Sequence, residues 1–187
     1  MEGASENMTT SHDDAIGGEF VIQAREQLDA AVFLIRHCLD QLDDEQVWNR
    51  AGENLNSIAN LLLHLSGNLR QRFRAEIAGE PDTRDRLLEF TERRTIPKAN
   101  LQARLEEAVG LADEVLAGLS PAQLLETRRV ERATGFEDKS TLGIALNAIN
   151  HLHGHAQEIL HMTRALLGDR YVFRHPNVVP PEMRPEP

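Results

Sequence analysis

Four stretches of this chain repeat apolar residues every three or four positions, a period that belongs to helices and not to strands. In the first, Phe20, Ala24, Leu28, Ala31, Val32, Ile35 and Leu39 make one stripe of an amphipathic helix expected over roughly residues 18 to 42. The second carries Ile58, Leu61, Leu62, Leu65, Leu69, Phe73 and Ile77 until Gly79 and Pro81 stop it. Asn54, Asn56 or Ser57 is its expected cap. Pro97 suits the first turn of a third helix that runs to about Leu116, with Leu101, Leu105, Val109, Ala112 and Val115 turned inward. A fourth, capped by Ser140 or Thr141, ends near Gly168. Aromatics are only 4% of the 187 residues, and strand formers are too few for a sheet protein. Four long helices joined by long connections predict an all-α four-helix bundle, one domain over residues 18–168.

The stretches between are polar. Trp48 interrupts "DQLDDEQVWNRAGEN" as the expected packing anchor of that connection. "GEPDTRDRLLEFTERRTIPKAN" contains two prolines and is expected as a long connection with one helical turn at Leu87 to Phe90. Ser120-Pro121 starts a short turn, and "TRRVERATGFEDKST" is expected to be irregular or a short hairpin around Gly135. Residues 1–17 are expected as a loose polar leader, with neither the basic start nor the apolar centre of a secretion signal. Residues 169–187 form a Pro-rich tail that cannot continue a helix.

A formal net charge of −10 with acidic and basic residues interspersed argues against nucleic acid, whose binding draws on clustered Lys and Arg. No apolar run reaches the length of a membrane span, about 18 residues or more. The single cysteine, Cys38, fits a reducing cytoplasm and has no motif around it, so it reads as a packed thiol. No P-loop or GxGxxG motif is present.

What remains is "NHLHGHAQEILHM" at 150–162, which holds four of the eight histidines. On a helix His151 and His155 lie one turn apart on one face, about 40° from each other. His153 and His161 project elsewhere and read as surface. HxxxH spacing suits a shared metal ion, and it also arises in core polar networks. Two imidazoles seldom hold a divalent ion alone. His64, isolated among Leu61, Leu62, Leu63 and Leu65, is the best further ligand, since a polar ring there is costly unless paired. His37 is a weaker candidate. Glu158 continues the same face as His151 and His155. "HLHGH" lacks the glutamate of an HExxH metalloprotease.

The segments "NSIANLLLHLSGNLRQRF" (56–73), "GEPDTRDRLLEF" (79–90) and "HLHGHAQEI" (151–159) resemble the DinB/YfiT-like superfamily of bacterial four-helix proteins, specifically one of its uncharacterised-domain branches. The resemblance covers about residues 20 to 168. It implies a divalent metal bound by one histidine of helix two and an HxxxH pair of the last helix, which fall on His64, His151 and His155. Superfamily members commonly end the motif in His-x-Gly-Gln-Ile. Here it reads "HAQEI", so Glu158 becomes an extra ligand or a base in the catalytic position.

Three imidazoles leave coordination positions open, as in a catalytic zinc site. A water bound there becomes a nucleophile near neutral pH, and a low-molecular-weight thiol becomes a thiolate. The expected function is therefore a metal-dependent enzyme with a small-molecule substrate, a thiol-dependent S-transferase or a hydrolase. Arg70, Arg72 and Arg74 are placed to meet an anionic cosubstrate, though a solvated helix face explains them as well. Zinc and nickel suit imidazole best. The resemblance also implies a homodimer. The opposing readings are a non-catalytic metal-binding protein serving as a structural or stress-response module, and a metal-free bundle with a polar seam.

Overall fold

The computed structural model of the chain describes residues 3–132 and 135–175. Within them the protein is an all-α four-helix bundle with one small hairpin. The long helices are α1 (Gly3–Leu39), α3 (Ile58–Leu69), α5 (Lys98–Ala117) and α7 (Thr141–Leu167). Short helices α2 (Asp44–Trp48), α4 (Arg86–Thr91) and α6 (Pro121–Leu125) sit in the connections. Strands β1 (Thr127–Arg132) and β2 (Gly135–Ser140) pair antiparallel, with Thr127 opposite Ser140 and Val130 opposite Glu137. Around the bundle the long helices follow the order α1, α7, α3, α5, so α3 and α7 are neighbours.

The stripes read from the sequence meet in one core. Leu28, Ile35 and Leu39 of α1 face Leu61, Leu62 and Leu65 of α3, Leu101, Leu105 and Leu116 of α5, and Ile144, Leu152 and Ile159 of α7. Ser57 is the cap of α3. Its hydroxyl accepts from the Asn60 amide at 3.2 Å while the Asn60 side chain accepts from the Ser57 amide at 3.3 Å, which satisfies donors that the first turn cannot use. Ser140 caps α7 by accepting from the Gly143 amide at 3.1 Å. Trp48 fulfils its anchoring role by donating to the Ile96 carbonyl at 2.9 Å. Pro97 lies at the cap position, one residue before α5 begins.

Two features depart from the sequence reading. The first helix does not start near residue 18: α1 extends back to Gly3, through the stretch expected as leader. A polar helix with no apolar stripe leaves no mark in hydrophobic periodicity. Gly17 marks where α6 passes, since a Cβ there would lie 2.6 Å from Pro121 Cβ. Second, α3 continues from Arg70 to Ile77 as a π-helix. The helical turn expected at Leu87 to Phe90 is present as α4, which folds back against α3 and is fixed where Asn60 Nδ2 donates to the Glu89 carbonyl at 2.8 Å.

At the C-terminal end, Tyr171 is buried. His37 Nε2 donates to the Val172 carbonyl at 2.9 Å and Gln41 Oε1 accepts from the Val172 amide at 2.7 Å. The prolines expected beyond this strap fall outside the described residues. Cys38 is buried, and its thiol is pushed up by burial. No helix among the described residues is long and apolar enough to cross a membrane.

Candidate metal centre

His64 projects from the middle of α3 towards α7, where His151 and His155 stand one turn apart. One ring nitrogen from each of the three lies within 4.8 Å of the others. His64 Nε2 and His151 Nε2 are 2.8 Å apart. The three rings meet edge to face, with interplanar angles of 75°, 84° and 89°, like the walls of a corner. His64 is 5% exposed, and Phe90 lies across it at 4.9 Å between ring centroids. His151 and His155 are half-buried.

The other nitrogen of each outer ring is held from behind. His64 Nδ1 is 2.9 Å from Glu89 Oε2. Burial pushes the Glu89 carboxyl up, but bonds from Arg84 and His64 outweigh it and keep the group below the ordinary carboxylate range. An ionised carboxylate only accepts, so the His64 proton sits on Nδ1 and the Nε2 lone pair faces the centre. Arg84 Nη2, 3.1 Å from the same Nδ1, therefore directs its hydrogen to Glu89 Oε2 at 2.8 Å, while Arg84 Nε donates to Oε1 at 2.7 Å. His155 repeats the pattern within its own helix: its Nδ1 donates to Glu158 Oε2 at 2.7 Å, leaving Nε2 for the centre.

Two Nε2 atoms at 2.8 Å need either a proton between them or a shared cation. Ligand nitrogens at about 2.0–2.1 Å from one ion are roughly 2.9 Å apart at a right angle and roughly 3.4 Å apart in a tetrahedron. The His64–His151 separation lies at the short end of that range. Burial, then the charges of His155, His64, Arg84 and Arg72, lowers the His151 pKa to about 4, so near neutral pH its nitrogen is available as a ligand. The donor set fits a divalent transition-metal ion.

The structure thus brings together the three histidines expected to share an ion. It places Glu158 on the outer nitrogen of His155. His153 instead donates to the Gln27 carbonyl at 3.0 Å, and His37 is committed to the C-terminal strap. Arg70 and Arg74 pair with Glu107 and Glu80 at 2.7 and 2.6 Å. Arg72 pairs with Glu76 and is sheltered rather than solvated.

Arg84, Glu89 and Phe90 around His64 were not assigned tasks from the sequence. The signal that marks them is Gly67, a glycine inside α3 where alanine would be better by about 1 kcal/mol in an open helix. A Cβ at Gly67 would lie 2.0 Å from Glu89 Oε1. Behind the Arg84–Glu89 pair opens a cleft of about 1010 Å³, lined among others by Gly67, Arg70, Arg104 and Leu111, with none of the three histidines on its wall.

A family model described as "Protein of unknown function (DUF1572)" matches residues 15–174. A crystal structure described as the conserved protein of a locus from Enterococcus faecalis is similar, with a TM-score of 0.63 and 18% identity over 78% of this chain and 96% of that one. Likeness at that identity concerns the fold alone. No match was found among curated proteins.

Proposed function

The chain belongs to the DUF1572 family of proteins of unknown function, and on that footing we propose that it is a metal-dependent enzyme of the DinB/YfiT-like superfamily with a small-molecule substrate. One observation carries this reading: nitrogens of His64, His151 and His155, from two separate helices, converge within 4.8 Å. Zinc or nickel is the ion that imidazole donors favour. When bound by three imidazoles, such an ion supplies Lewis acidity at its open positions to water or to a low-molecular-weight thiol.

The chain's own residues do the rest. His64, His151 and His155 hold the ion, Phe90 keeps water from the flank of His64, and Glu158 orients His155 through Nδ1. With its bonded oxygen committed to that ring, Glu158 serves as a positioning residue rather than as a ligand. The partly exposed rings of His151 and His155 leave the side from which a thiol or water approaches. Thiol transfer and hydrolysis remain the two reaction classes compatible with this donor set.

A non-catalytic role for the same ion has one observation in its favour, namely that the cleft of about 1010 Å³ lies behind Arg84 and Glu89 and not on the imidazoles. The decisive experiment is elemental analysis of protein purified without chelator, followed by assay with thiols and a model electrophile. The enzyme reading expects one divalent ion per chain and turnover that is lost in His155→Ala. Stoichiometric metal without turnover of thiol or ester substrates supports the structural role. Absence of any divalent ion, with no uptake of zinc or nickel in titration, overturns both.

A further inference from the structure

The segment 79–90 stood out in the sequence, and the proposed chemistry leaves two of its charged residues without a task. These two, Arg84 and Glu89, are among the most sheltered charges of the described structure, with side chains 5% and 8% exposed. Burying a charged pair is costly unless geometry and further hydrogen bonds compensate. Here the geometry does. Arg84 grips both oxygens of Glu89 in a fork, its Nη1 donates to Gln71 Oε1 at 2.8 Å, and the Glu89 backbone is held by Asn60. Both carboxylate oxygens and the backbone are thus held, and Oε2 is aimed at His64 Nδ1. Gly67 supplies the space, because any side chain there would occupy the position of Oε1.

Glu158 makes the contrasting case on His155. It reaches its histidine from one turn away on the same helix, is 47% exposed, and makes this bond at the surface, where solvent screening leaves such pairs little net effect. Of the two carboxylates behind the triad, one is locked and one is free to leave.

We propose that Arg84, Glu89 and Gly67 form a rigid mount that fixes the orientation and tautomer of His64, and that this mount, not Glu158, sets the affinity of the centre. The inference rests on the reading of the triad as a divalent-metal site. A ligand imidazole held by a carboxylate loses less freedom on binding and is a better donor, and removing such a partner typically costs 10–100-fold in affinity.

The test is zinc affinity of the full chain, measured by competition with a chromophoric chelator, for wild type, Glu89→Gln, Arg84→Lys, Gly67→Ala and Glu158→Gln. Thermal melts of the metal-free proteins and visible spectra of the cobalt-loaded ones accompany it. Glu89→Gln and Gly67→Ala are expected to weaken zinc binding about 10–100-fold and to shift the cobalt bands. Glu158→Gln is expected to lose less than about fivefold. Gly67→Ala reaches the same loss without removing a polar group; if it does not fold, Glu89→Gln and Arg84→Lys carry the comparison. A mount that only supports the fold would lower the melting temperature of the metal-free variants and leave affinity and spectra unchanged, which overturns the proposal. So does a larger loss in Glu158→Gln than in Glu89→Gln. Wild type that binds zinc tightly while all variants match it sinks this inference alone. Wild type that binds no divalent ion sinks the functional reading beneath it as well.

Discussion

Removing the Glu89 side chain from the metal-free protein isolates the energetics of the mount from those of the ion. Glu89→Ala leaves the Arg84 guanidinium, 5% exposed, without the carboxylate acceptor of its Nε and Nη2, facing only the neutral Gln71 Oε1 and the His64 ring 3.1 Å from Nη2. Breaking a buried pair from one side costs about 3–5 kcal/mol, because the surviving charge is uncompensated. Arg84 lines the cleft of about 1010 Å³, so water reaches it once the carboxylate is gone, and the lower end, about 3 kcal/mol, is expected. At an m-value of about 2 kcal/mol/M in urea, the denaturation midpoint falls by about 1.5 M. Replacing both charges, Arg84→Met with Glu89→Leu, removes the stranded cation; His64 Nδ1–H loses its acceptor and the partly exposed Gln71 Oε1 its donor, a residual cost of about 1–2 kcal/mol. Urea denaturation followed by circular dichroism in excess chelator measures both variants. If the double variant is no more stable than Glu89→Ala, the two groups do not compensate each other and the reasoning fails.

Alanine at His64, His151 or His155 is expected to reduce bound divalent metal from stoichiometric to background in each case, by elemental analysis, while His153→Ala retains it. The pH dependence follows from His151, whose pKa is lowered from 6.5 to about 4. The unfolded chain takes up the proton first as pH falls, so metal-free stability is full above 6.5 and declines towards about pH 4. Equilibrium unfolding of metal-free protein at pH 7 and pH 5 checks this, and His151→Asn should flatten the difference. Ser57→Ala removes the α3 cap and the bond from the Ser57 hydroxyl to Asn60 Oδ1, 2.7 Å long. It is expected to cost about 1–2 kcal/mol by urea denaturation.

The helices and the HxxxH pair were legible because each is written in a single local period. His151 and His155 need only a helix to stand together, and Leu28, Ile35 and Leu39 need only the same period to face the core. The meeting of His64 with that pair is a fact about two helices 87 residues apart. Leucines around a lone histidine marked it as needing a partner, and the superfamily resemblance identified which. Glu89 was invisible for a different reason. It reaches the centre through a short helix whose placement depends on Asn60 and Arg84, and no periodicity in a six-residue segment records such a contact. Gly67 was the one local trace of it. The helical run before residue 18 was missed because a polar helix has no stripe to find.

The π-helix that prolongs α3 has its own trace in the sequence. Leu65, Leu69, Phe73 and Ile77 are each four residues apart. In an α-helix every such step overshoots a full turn by about 40°, so three steps would carry Ile77 far off the face that Leu65 occupies. A π-helix, bonded from i to i+5, takes more than four residues per turn, and the same step then falls short. The change of helix type at Arg70 reverses the drift and keeps Phe73 and Ile77 buried with Leu65. The same reversal turns Arg72 and Glu76 into shelter close enough for the Arg72 charge to act on His151. An α-helix over these residues would have to bury either the apolar stripe or that ion pair. Substituting alanine for Phe73, fully buried on the π-helical side, removes the main reason for the wider turn. It is expected to cost about 3–5 kcal/mol and to weaken the centre through the changed surroundings of His151. Unchanged zinc affinity in Phe73→Ala, despite that loss of stability, would separate the π-helix from the site.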